Sequence, residues 1–253
     1  MPPKSPRKRL DILLVERGLA ESRQKAQAMI LAGEVTIDAK RAEKAGQPVA
    51  EDAPIEVHSR LQKYASRGGF KLEGALEDFH INPQGKVCLD VGSSTGGFTD
   101  CLLQQGAARI YAVDVNTDQL AWKLREEPRV IVLKKNAREL APRDLPEHVE
   151  LVVIDVSFIS VTKILPGAVA CCKPGGKLLV LVKPQFELER ADVGKGGIVR
   201  DAKLHEKAIA SVRRAAESHG LTGLQVSPSR LPGAEGNQEY FLHAMKPPTV
   251  ESL

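Results

Sequence analysis

The spacing of apolar residues changes character near residue 65. Before that point, apolar side chains recur at helical intervals from Leu10 until Gly18, which predicts a short amphipathic helix. Ser22 stands where it can cap a second helix, over Arg23–Ala32. Two β-rich stretches follow and predict a small hairpin, so that these elements together form a compact α+β domain. The strands of the hairpin are predicted at Glu34–Asp38 and Pro54–His58.

After residue 65, apolar runs of strand length alternate with segments of helix length. The runs are almost continuous in Val, Ile and Leu, as strands are when helices cover both faces of a sheet. The pattern therefore predicts an α/β domain with a seven-stranded, mainly parallel sheet. The strands are predicted at Lys86–Val91, Ile110–Val113, Val130–Leu133, Leu151–Ile154, Lys177–Val182, Leu221–Val226 and Glu239–Ala244, and the helices at Thr95–Gln105, Asp118–Glu126, Val161–Cys172 and Asp201–His219.

Positive charge is concentrated at the start of the chain. Residues 1–67 carry 13 Lys and Arg against 9 Asp and Glu, whereas the rest carries 23 of each sign, so the net charge of +4 lies in the N-terminal quarter. A clustered basic surface is suited to binding phosphates, although a solvated basic tail would give the same count.

The composition excludes several classes of protein. A hydrophobic content of 42% with 27% charged residues is typical of a globular protein. No apolar run is long enough to cross a bilayer, and the first residues lack the apolar core of a signal peptide, so we expect a cytoplasmic protein without membrane contact. The four cysteines lack zinc-site spacing, which predicts buried reduced thiols and no metal.

Six small residues, Gly92–Gly97, separate an apolar strand from a predicted helix. Such a turn lets a cofactor touch the backbone, and Asp114, about twenty residues on, can accept hydrogen bonds from ribose hydroxyls. The two features together predict a nucleoside-containing cofactor. Asp90 leads the loop, and its carboxylate favours the cationic amino acid end of S-adenosylmethionine over the pyrophosphate of a dinucleotide. The loop also lacks the GxGxxG and P-loop patterns.

Five segments in order resemble those of the FtsJ-like 2′-O-ribose methyltransferases over residues 64–245, and the whole chain resembles the TlyA family. The resemblance implies a Rossmann-like class I methyltransferase domain over residues 66–253, joined by a linker over residues 59–65 to an RNA-binding domain over residues 1–58. The matching segments are Ser66-Arg-Gly-Gly-Phe-Lys71-Leu, Asp90-Val-Gly-Ser-Ser-Thr-Gly-Gly-Phe-Thr-Asp100, Asp155-Val-Ser-Phe-Ile-Ser160, Leu181-Val-Lys183-Pro-Gln-Phe-Glu187 and Gly236-Asn-Gln-Glu239-Tyr.

The first domain resembles the S4-type RNA-binding domain over Arg9–Val57. The segments that carry this resemblance are Arg9-Leu-Asp-x-x-Leu-Val-Glu-Arg-Gly-Leu-Ala-x-Ser22-Arg23-x-x-Ala26 and Ile30-x-Ala-Gly33-x-Val35. In that family the polar face of the second helix meets folded RNA, although an ordinary charged helix face would look the same residue by residue. The resemblance places Arg9, Arg17, Arg23, Lys25 and Gln27 near RNA, and Arg67 of the second domain is added to them.

The FtsJ-like resemblance also implies a catalytic set, Lys71, Asp155, Lys183 and Glu239. We expect Lys183 to contact the ribose 2′-hydroxyl, either as a general base or as a cation that stabilises the forming alkoxide. Lys71 would favour the neutral form of Lys183 by repulsion, and the carboxylates would orient the two lysines. The predicted cofactor contacts are Asp90, Gly92, Ser94, Gly96, Gly97, Phe98 and Asp114, with Asn136 at the adenine edge.

The expected function is S-adenosylmethionine-dependent 2′-O-methylation of ribosomal RNA, with ribosomal RNA or ribosomal subunits as partners. The resemblance implies cytidine in 23S and/or 16S ribosomal RNA, and the short stretch after the last strand favours the large subunit alone. A noncatalytic RNA-binding or ribosome-assembly factor remains the alternative. A hemolysin is a third hypothesis, because relatives have carried that name, but the sequence lacks an apparent membrane-inserting segment.

Residues 184–200 are predicted to form a mobile lid, or a surface loop.

Overall fold

The computed structural model describes residues 6–20, 22–31, 33–38, 40–57, 63–233 and 236–249, apart from the side chain of Lys195. The chain divides into two compact units, residues 1–63 and 64–253. The predicted linker, residues 59–65, lies partly outside the described residues. Its residue Tyr64 is fully buried in the second unit, where its ring packs edge-on against Phe70 at 5.1 Å. The second unit therefore begins two residues before the predicted boundary.

The first unit is a small α+β fold. Its core contains Leu10, Leu14, Ala26, Ile30 and Val35, which are contributed by both helices and a central strand. The elements are β1 Arg7–Arg9, α1 Leu10–Glu16, α2 Arg23–Leu31, β2 Val35–Ile37, β3 Lys40–Arg41, β4 Pro48–Ala50 and β5 Ile55–Val57.

The pairing of the predicted hairpin strands is confirmed, because β2 pairs antiparallel with β5. The predicted cap is also confirmed: the Lys25 N–H donates to Ser22 Oγ at 3.2 Å. The sequence did not predict β3, which flanks β2, or the antiparallel pair of β1 and β4. Strands of two or three residues are too short to produce a readable alternation of apolar and polar positions.

The second unit contains the large sheet. Its order is β11-β12-β10-β9-β6-β7-β8; strands β6 to β10 are parallel, whereas β12 runs antiparallel to both its neighbours. The predicted architecture, a seven-stranded and mainly parallel sheet, is confirmed. The elements are α3 Gly68–Asp78, β6 Val87–Val91, α4 Gly97–Gln104, β7 Arg109–Asp114, α5 Trp122–Arg125, β8 Val130–Lys134, β9 Val149–Ile154, α6 Leu165–Cys171, β10 Cys172–Val182, α7 Pro184–Glu187, α8 Ala202–Ser218, β11 Thr222–Pro228 and β12 Tyr240–Met245.

The helix predicted over Asp118–Glu126 is wrong in its first half. A 3₁₀ turn ends at Gln119, and the next two residues are extended before α5 begins. Leu120 is buried, and the Ala121 N–H donates to the Thr95 carbonyl at 3.2 Å, so tertiary contacts outweigh local helix propensity here.

Helix α3 was not predicted, because it contains three glycines, which are poor helix formers. Two of them are required by their neighbours. A Cβ at Gly69 would collide with the ring of Tyr64, and one at Gly74 would lie 2.9 Å from the Arg230 side chain. The packing partners therefore explain glycines that weaken the helical pattern.

Two hydrophobic layers cover the sheet. On β6, Leu89 and Val91 face one layer, and Cys88 faces the other. The parallel strands β6, β7, β9 and β10 all end at the same edge of the sheet. Polar residues that follow these strands are therefore brought together at that edge, where open α/β sheets bind ligands.

Candidate active site

The loop after β6 is built so that its backbone is closely covered. Gly92 has φ +87° and Gly96 has φ +96°, a region that glycine adopts without strain. A Cβ at Gly92 would collide with the Asp155 carbonyl, and one at Gly97 would collide with Ser66. The loop therefore lies directly against the chain that follows β9.

A cleft of about 200 Å³ opens beside this loop. Of the predicted residues, it brings together Gly92, Ser94, Gly97 and Phe98 with Lys71, Asp155 and Arg67. Sequence reasoning missed Ser66, Gly68, Ser93, Thr95 and Pro232, which also line it. The predicted residues Asp90, Gly96, Asp114, Asn136, Lys183 and Glu239 are not in its lining.

Lys183 and Asp155 form an ion pair at the ends of β10 and β9. The Lys183 ammonium lies 2.6 Å from Asp155 Oδ1 and donates a hydrogen bond of 2.7 Å to Ser157 Oγ. The side chain of Lys183 is only 11% exposed, so these two partners fix the direction of its nitrogen. Ser157 was not predicted as a site residue, although it stands two positions after Asp155.

Lys71 and Glu239 form the second ion pair. Nζ of Lys71, on the first turn of α3, donates to Glu239 Oε2 at 2.6 Å. The exposed fractions of these side chains are 12% and 3%. The four residues of the predicted set thus form two pairs, in which each ammonium lies against its own carboxylate.

Asp90 lies beneath the loop and is fully buried. Thr99 Oγ1 donates to its Oδ2 at 2.6 Å, whereas Oδ1 has no hydrogen-bond partner among the described residues. Burial raises the pKa of Asp90 to about 7; the Thr99 hydrogen bond opposes this shift, and the negative charge of Asp155 adds to it. The predicted contact of Asp90 with the cofactor stays a prediction.

Asp114 supports the loop from the end of β7. Its Oδ2 accepts a hydrogen bond of 2.9 Å from the Ser94 N–H, and its Oδ1 accepts one of the same length from Asn116. A carboxylate oxygen can accept more than one hydrogen bond, so these contacts leave acceptor capacity for a ribose. Asn136 is exposed, and its Oδ1 accepts from the Arg138 N–H at 3.1 Å, which caps a 3₁₀ turn.

Two aromatic residues that sequence reasoning missed lie next to the Lys183–Asp155 pair in the chain. Phe158 is 91% exposed and has φ +66°, and its ring is 5.3 Å from that of Phe186. Glu187 ties their two segments together, since Oε2 accepts from Ser160 Oγ at 2.6 Å and Oε1 accepts from the Val161 N–H at 2.8 Å. An exposed, conformationally restricted aromatic is a signal that only the structure shows.

The predicted lid, residues 184–200, contains α7 and two 3₁₀ turns. Its far end is anchored at Val199. The Val199 N–H donates to Asn237 Oδ1, and the Val199 carbonyl contacts His205 Nε2, both at 2.9 Å. Asn237 also donates to the Gly197 carbonyl at 2.8 Å. Movement of the segment stays a prediction.

In the first unit, a buried carboxylate gathers three predicted RNA-binding side chains. Asp11 is fully covered and accepts hydrogen bonds from Arg9 at 3.0 Å, Arg23 at 2.9 Å and Gln27 at 2.8 Å. The hydrogen bond from Arg9 is the largest cause that holds the pKa of Asp11 well below its usual range. The three side chains therefore form one oriented polar cluster.

The remaining predicted RNA-binding residues do not join this cluster. Arg17 donates to the carbonyls of Ala53, at 2.8 Å, and Glu51, so its guanidinium stabilises the turn before β5. Lys25 is exposed on α2, and Arg67 is exposed at the start of α3 beside the cleft. Contact of any of these side chains with RNA stays a prediction.

The described residues contain no helix with the length and apolar content needed to cross a bilayer. Within the same part of the chain, no group of three or more His, Cys, Asp and Glu side chains is placed to hold a metal ion.

Comparison with known proteins gives matches over both units. The family model for FtsJ-like methyltransferases matches residues 64–246, and that for the S4 domain matches residues 8–55. A 16S/23S rRNA (cytidine-2′-O)-methyltransferase TlyA from Mycobacterium tuberculosis is 47% identical over 93% of this chain and 89% of its own. Hemolysin A from Brachyspira hyodysenteriae is 41% identical over 93% and 98%.

Among solved structures, one from Streptococcus thermophilus superposes with a TM-score of 0.76 at 38% identity, covering 97% of this chain and 91% of that one. The resemblance inferred from the sequence motifs is therefore confirmed over both units.

Proposed function

This chain belongs to the FtsJ-like methyltransferase family and carries an S4 domain, and we propose that it transfers a methyl group from S-adenosylmethionine to a cytidine 2′-hydroxyl of ribosomal RNA. The observation that carries the proposal is the Lys183–Asp155 pair beside a cleft formed by a glycine loop. The substrate class is supported by the relative named as a 16S/23S rRNA (cytidine-2′-O)-methyltransferase. Because ribosomal RNA is the substrate, we also propose a cytoplasmic location.

The residues at the cleft fit S-adenosylmethionine. The Gly92 backbone lines the cleft. Asp114 lies outside the lining but holds Ser94, which is part of it, and can accept hydrogen bonds from ribose hydroxyls. S-Adenosylmethionine, when bound, supplies a methyl group on a sulfonium that is open to attack by an oxygen nucleophile. Ser66 and Phe98 line the same cleft.

We propose that Lys183 contacts the ribose 2′-hydroxyl, which is the nucleophile. Asp155 and Ser157 direct its ammonium. As the ribose oxygen takes the methyl group from the sulfonium, the hydroxyl proton would pass to solvent, and the Lys183 cation would stabilise the negative charge on the oxygen. The Lys71–Glu239 pair holds the start of α3, where Lys71 lines the cleft, against the residue before β12.

The S4 domain is proposed to bind structured RNA through the cluster around Asp11. The guanidinium groups of Arg9 and Arg23 both donate to the buried Asp11 carboxylate. Lys25 is exposed on the same helix as Arg23. Guanidinium groups with fixed orientation suit phosphates, because they offer paired donors. A nucleotide in folded RNA must be turned outward before its ribose can enter an enzyme cleft.

The test is methyl transfer from labelled S-adenosylmethionine to separated ribosomal subunits and to naked ribosomal RNAs. Products are mapped by sequencing that detects 2′-O-methylation. We expect label on a cytidine ribose with the wild type and with Lys203→Ala, an exposed control on α8, but not with Lys183→Ala. Absence of transfer, with binding of RNA and cofactor demonstrated, would favour the noncatalytic assembly factor instead.

A further inference from the structure

A second pocket, of about 570 Å³, is open to solvent. Much of its lining follows Asp155 and Lys183 closely in the sequence. Its walls come from the two segments that follow Asp155 and Lys183. They include Phe158, Ile159, Gln185 and Phe186, with the exposed cations Arg138 and Lys163 at the rim. The two segments that form these walls thus begin within a few residues of the Lys183–Asp155 ion pair.

The aromatic wall of this pocket is held in place. Phe158 keeps φ +66° and 91% exposure, which costs conformational energy and leaves apolar surface in water. The ring of Phe158 contacts that of Phe186, and the two hydrogen bonds to Glu187 hold the segment that carries Phe158 against the segment that carries Phe186. A rigid aromatic face open to solvent is a surface on which a nucleobase can stack.

Gln185 lines the pocket and carries an unsatisfied acceptor. Its Oε1 is buried, and no described residue donates a hydrogen bond to it. A buried acceptor without a donor is costly, and an amide group turns readily about its last torsion. Turning the Gln185 amide would break none of the described hydrogen bonds and would bring its oxygen to the pocket that the residue lines.

We propose that this pocket binds the base of the nucleotide to be methylated, and that Gln185 accepts a hydrogen bond from its exocyclic amine. Cytosine carries that amine at position 4, whereas uracil carries a carbonyl oxygen there, which would face the Gln185 oxygen without a proton between them. Gln185 is then the residue that selects cytidine over uridine. The inference rests on the proposed function and names the specificity determinant of the same site.

The charged groups at the pocket agree with this assignment. Arg138 and Lys163 can meet the phosphates that flank the base. Glu187 already accepts hydrogen bonds from Ser160 and Val161, which hold its carboxylate toward their segment. Glu189 is exposed at the rim, where water screens its charge.

The experiment uses the full chain and the ribosomal RNA in which methylation has been mapped. The target position carries cytidine, uridine, or the analogue that has hydrogen in place of the 4-amino group. Single-turnover rates are measured for the wild type, Gln185→Ala, Gln185→Glu and Gln84→Ala, an exposed glutamine before the other end of β6. Binding of the same RNAs is measured with S-adenosylhomocysteine present.

For the wild type and Gln84→Ala we expect loss of the amine to reduce the rate or the affinity about ten- to a hundredfold, as loss of a base-reading hydrogen bond does. In Gln185→Ala the same change should cost less than about threefold. Gln185→Glu, which keeps an acceptor, should retain the preference for cytidine.

Equal sensitivity of Gln185→Ala and wild type to the amine would overturn the inference. If Gln185→Ala is inactive on every RNA, the ratio of its affinities for RNA with and without the amine is used instead. A ratio equal to that of wild type overturns the inference, and a ratio near one supports it. No methylation by the wild type of RNA with the natural cytidine would instead contradict the proposed function, so the two failures are distinguishable.

Discussion

The Lys71 ammonium donates a 2.6 Å hydrogen bond to Glu239, although 168 residues separate the two in the chain. The contact joins the first turn of α3 to the residue before β12. Both side chains are largely buried, so neither charge is well solvated without the other. The pair therefore links fold stability to the geometry of the cleft.

We predict that Lys71→Ala lowers the free energy of unfolding of the second unit by about 3–5 kcal/mol, because it leaves the Glu239 carboxylate buried and unpaired. The double variant Lys71→Met/Glu239→Gln should recover most of that loss, because it removes both charges. Urea unfolding measures both values. A double variant as unstable as the single one would show that the cost lies in packing and not in charge.

The second prediction concerns the role of Lys183. Lys183→Ala should lower the methyl transfer rate about 10²- to 10³-fold while cofactor binding stays within a fewfold of wild type. Lys183→Arg keeps a cation beside Asp155 and should retain part of the activity. Single-turnover rates, with cofactor affinity from calorimetry, test both. If Lys183→Arg were as inactive as Lys183→Ala, a role as general base would be favoured over the cation.

The third prediction concerns the dependence of stability on pH. Burial raises the pKa of Asp90 from 3.8 to about 7, so the folded protein holds a proton on it that the unfolded chain releases at lower pH. Wild-type stability therefore loses a contribution of up to roughly 4 kcal/mol as pH rises from about 4 to 7. In Asp90→Asn this contribution is absent, while the amide oxygen still accepts from Thr99.

The free energy of unfolding of Asp90→Asn minus that of wild type should therefore increase between pH 5 and pH 8. Chemical denaturation at several pH values measures it, and the difference removes the other titrating groups. A difference that is flat with pH would mean that Asp90 is already ionised in the folded protein at pH 5.

The fourth prediction compares two glycines that both have positive φ. At Gly85 no atom lies within 4 Å of an added Cβ, whereas at Gly92 the Asp155 carbonyl blocks it. Gly85→Ala should cost only about 1 kcal/mol from backbone strain. Gly92→Ala should cost more and should also abolish cofactor binding, because the Asp155 backbone must move. Thermal unfolding and calorimetry measure the two effects; equal losses in both variants would contradict this account.

The fifth prediction separates charge from orientation at Asp11. Asp11→Asn removes one negative charge and so raises the net charge of the protein by one, which by itself would strengthen RNA binding. It also removes the carboxylate that holds Arg9 and Arg23. We expect orientation to dominate and RNA affinity to fall several-fold at constant salt, whereas the exposed control Asp52→Asn should strengthen binding slightly. Filter binding at two salt concentrations measures this, and stronger binding by Asp11→Asn would contradict it.

The large sheet could be predicted from the sequence, because buried strands produce long apolar runs. The positions of Asp155 and Lys183 directly after two of these strands could be predicted for the same reason. The pairing of Lys71 with Glu239 could not, since only the folded chain brings α3 and β12 together. The same holds for Ser157 as a partner of Lys183.

Local patterns failed where packing set the conformation. Helix α3 contains glycines that its neighbours require, and the segment before α5 is extended because Leu120 is drawn into the core. Arg17 shows the limit for surface residues: its sequence position suggested RNA contact, while its guanidinium bonds to backbone carbonyls of its own unit. Charge alone does not reveal which way a long side chain points.

The burial of Tyr64 has a consequence for proteolysis. The Ala65 N–H donates to Asp100 on α4 at 2.7 Å, and the Tyr64 ring lies directly against Gly69. A protease that cuts before Tyr64 would leave the methyltransferase unit whole. A cut only two residues later would remove an aromatic side chain from its core and a hydrogen bond from the helix that follows the glycine loop. The catalytic unit thus begins inside the stretch that, by composition, looks like a spacer.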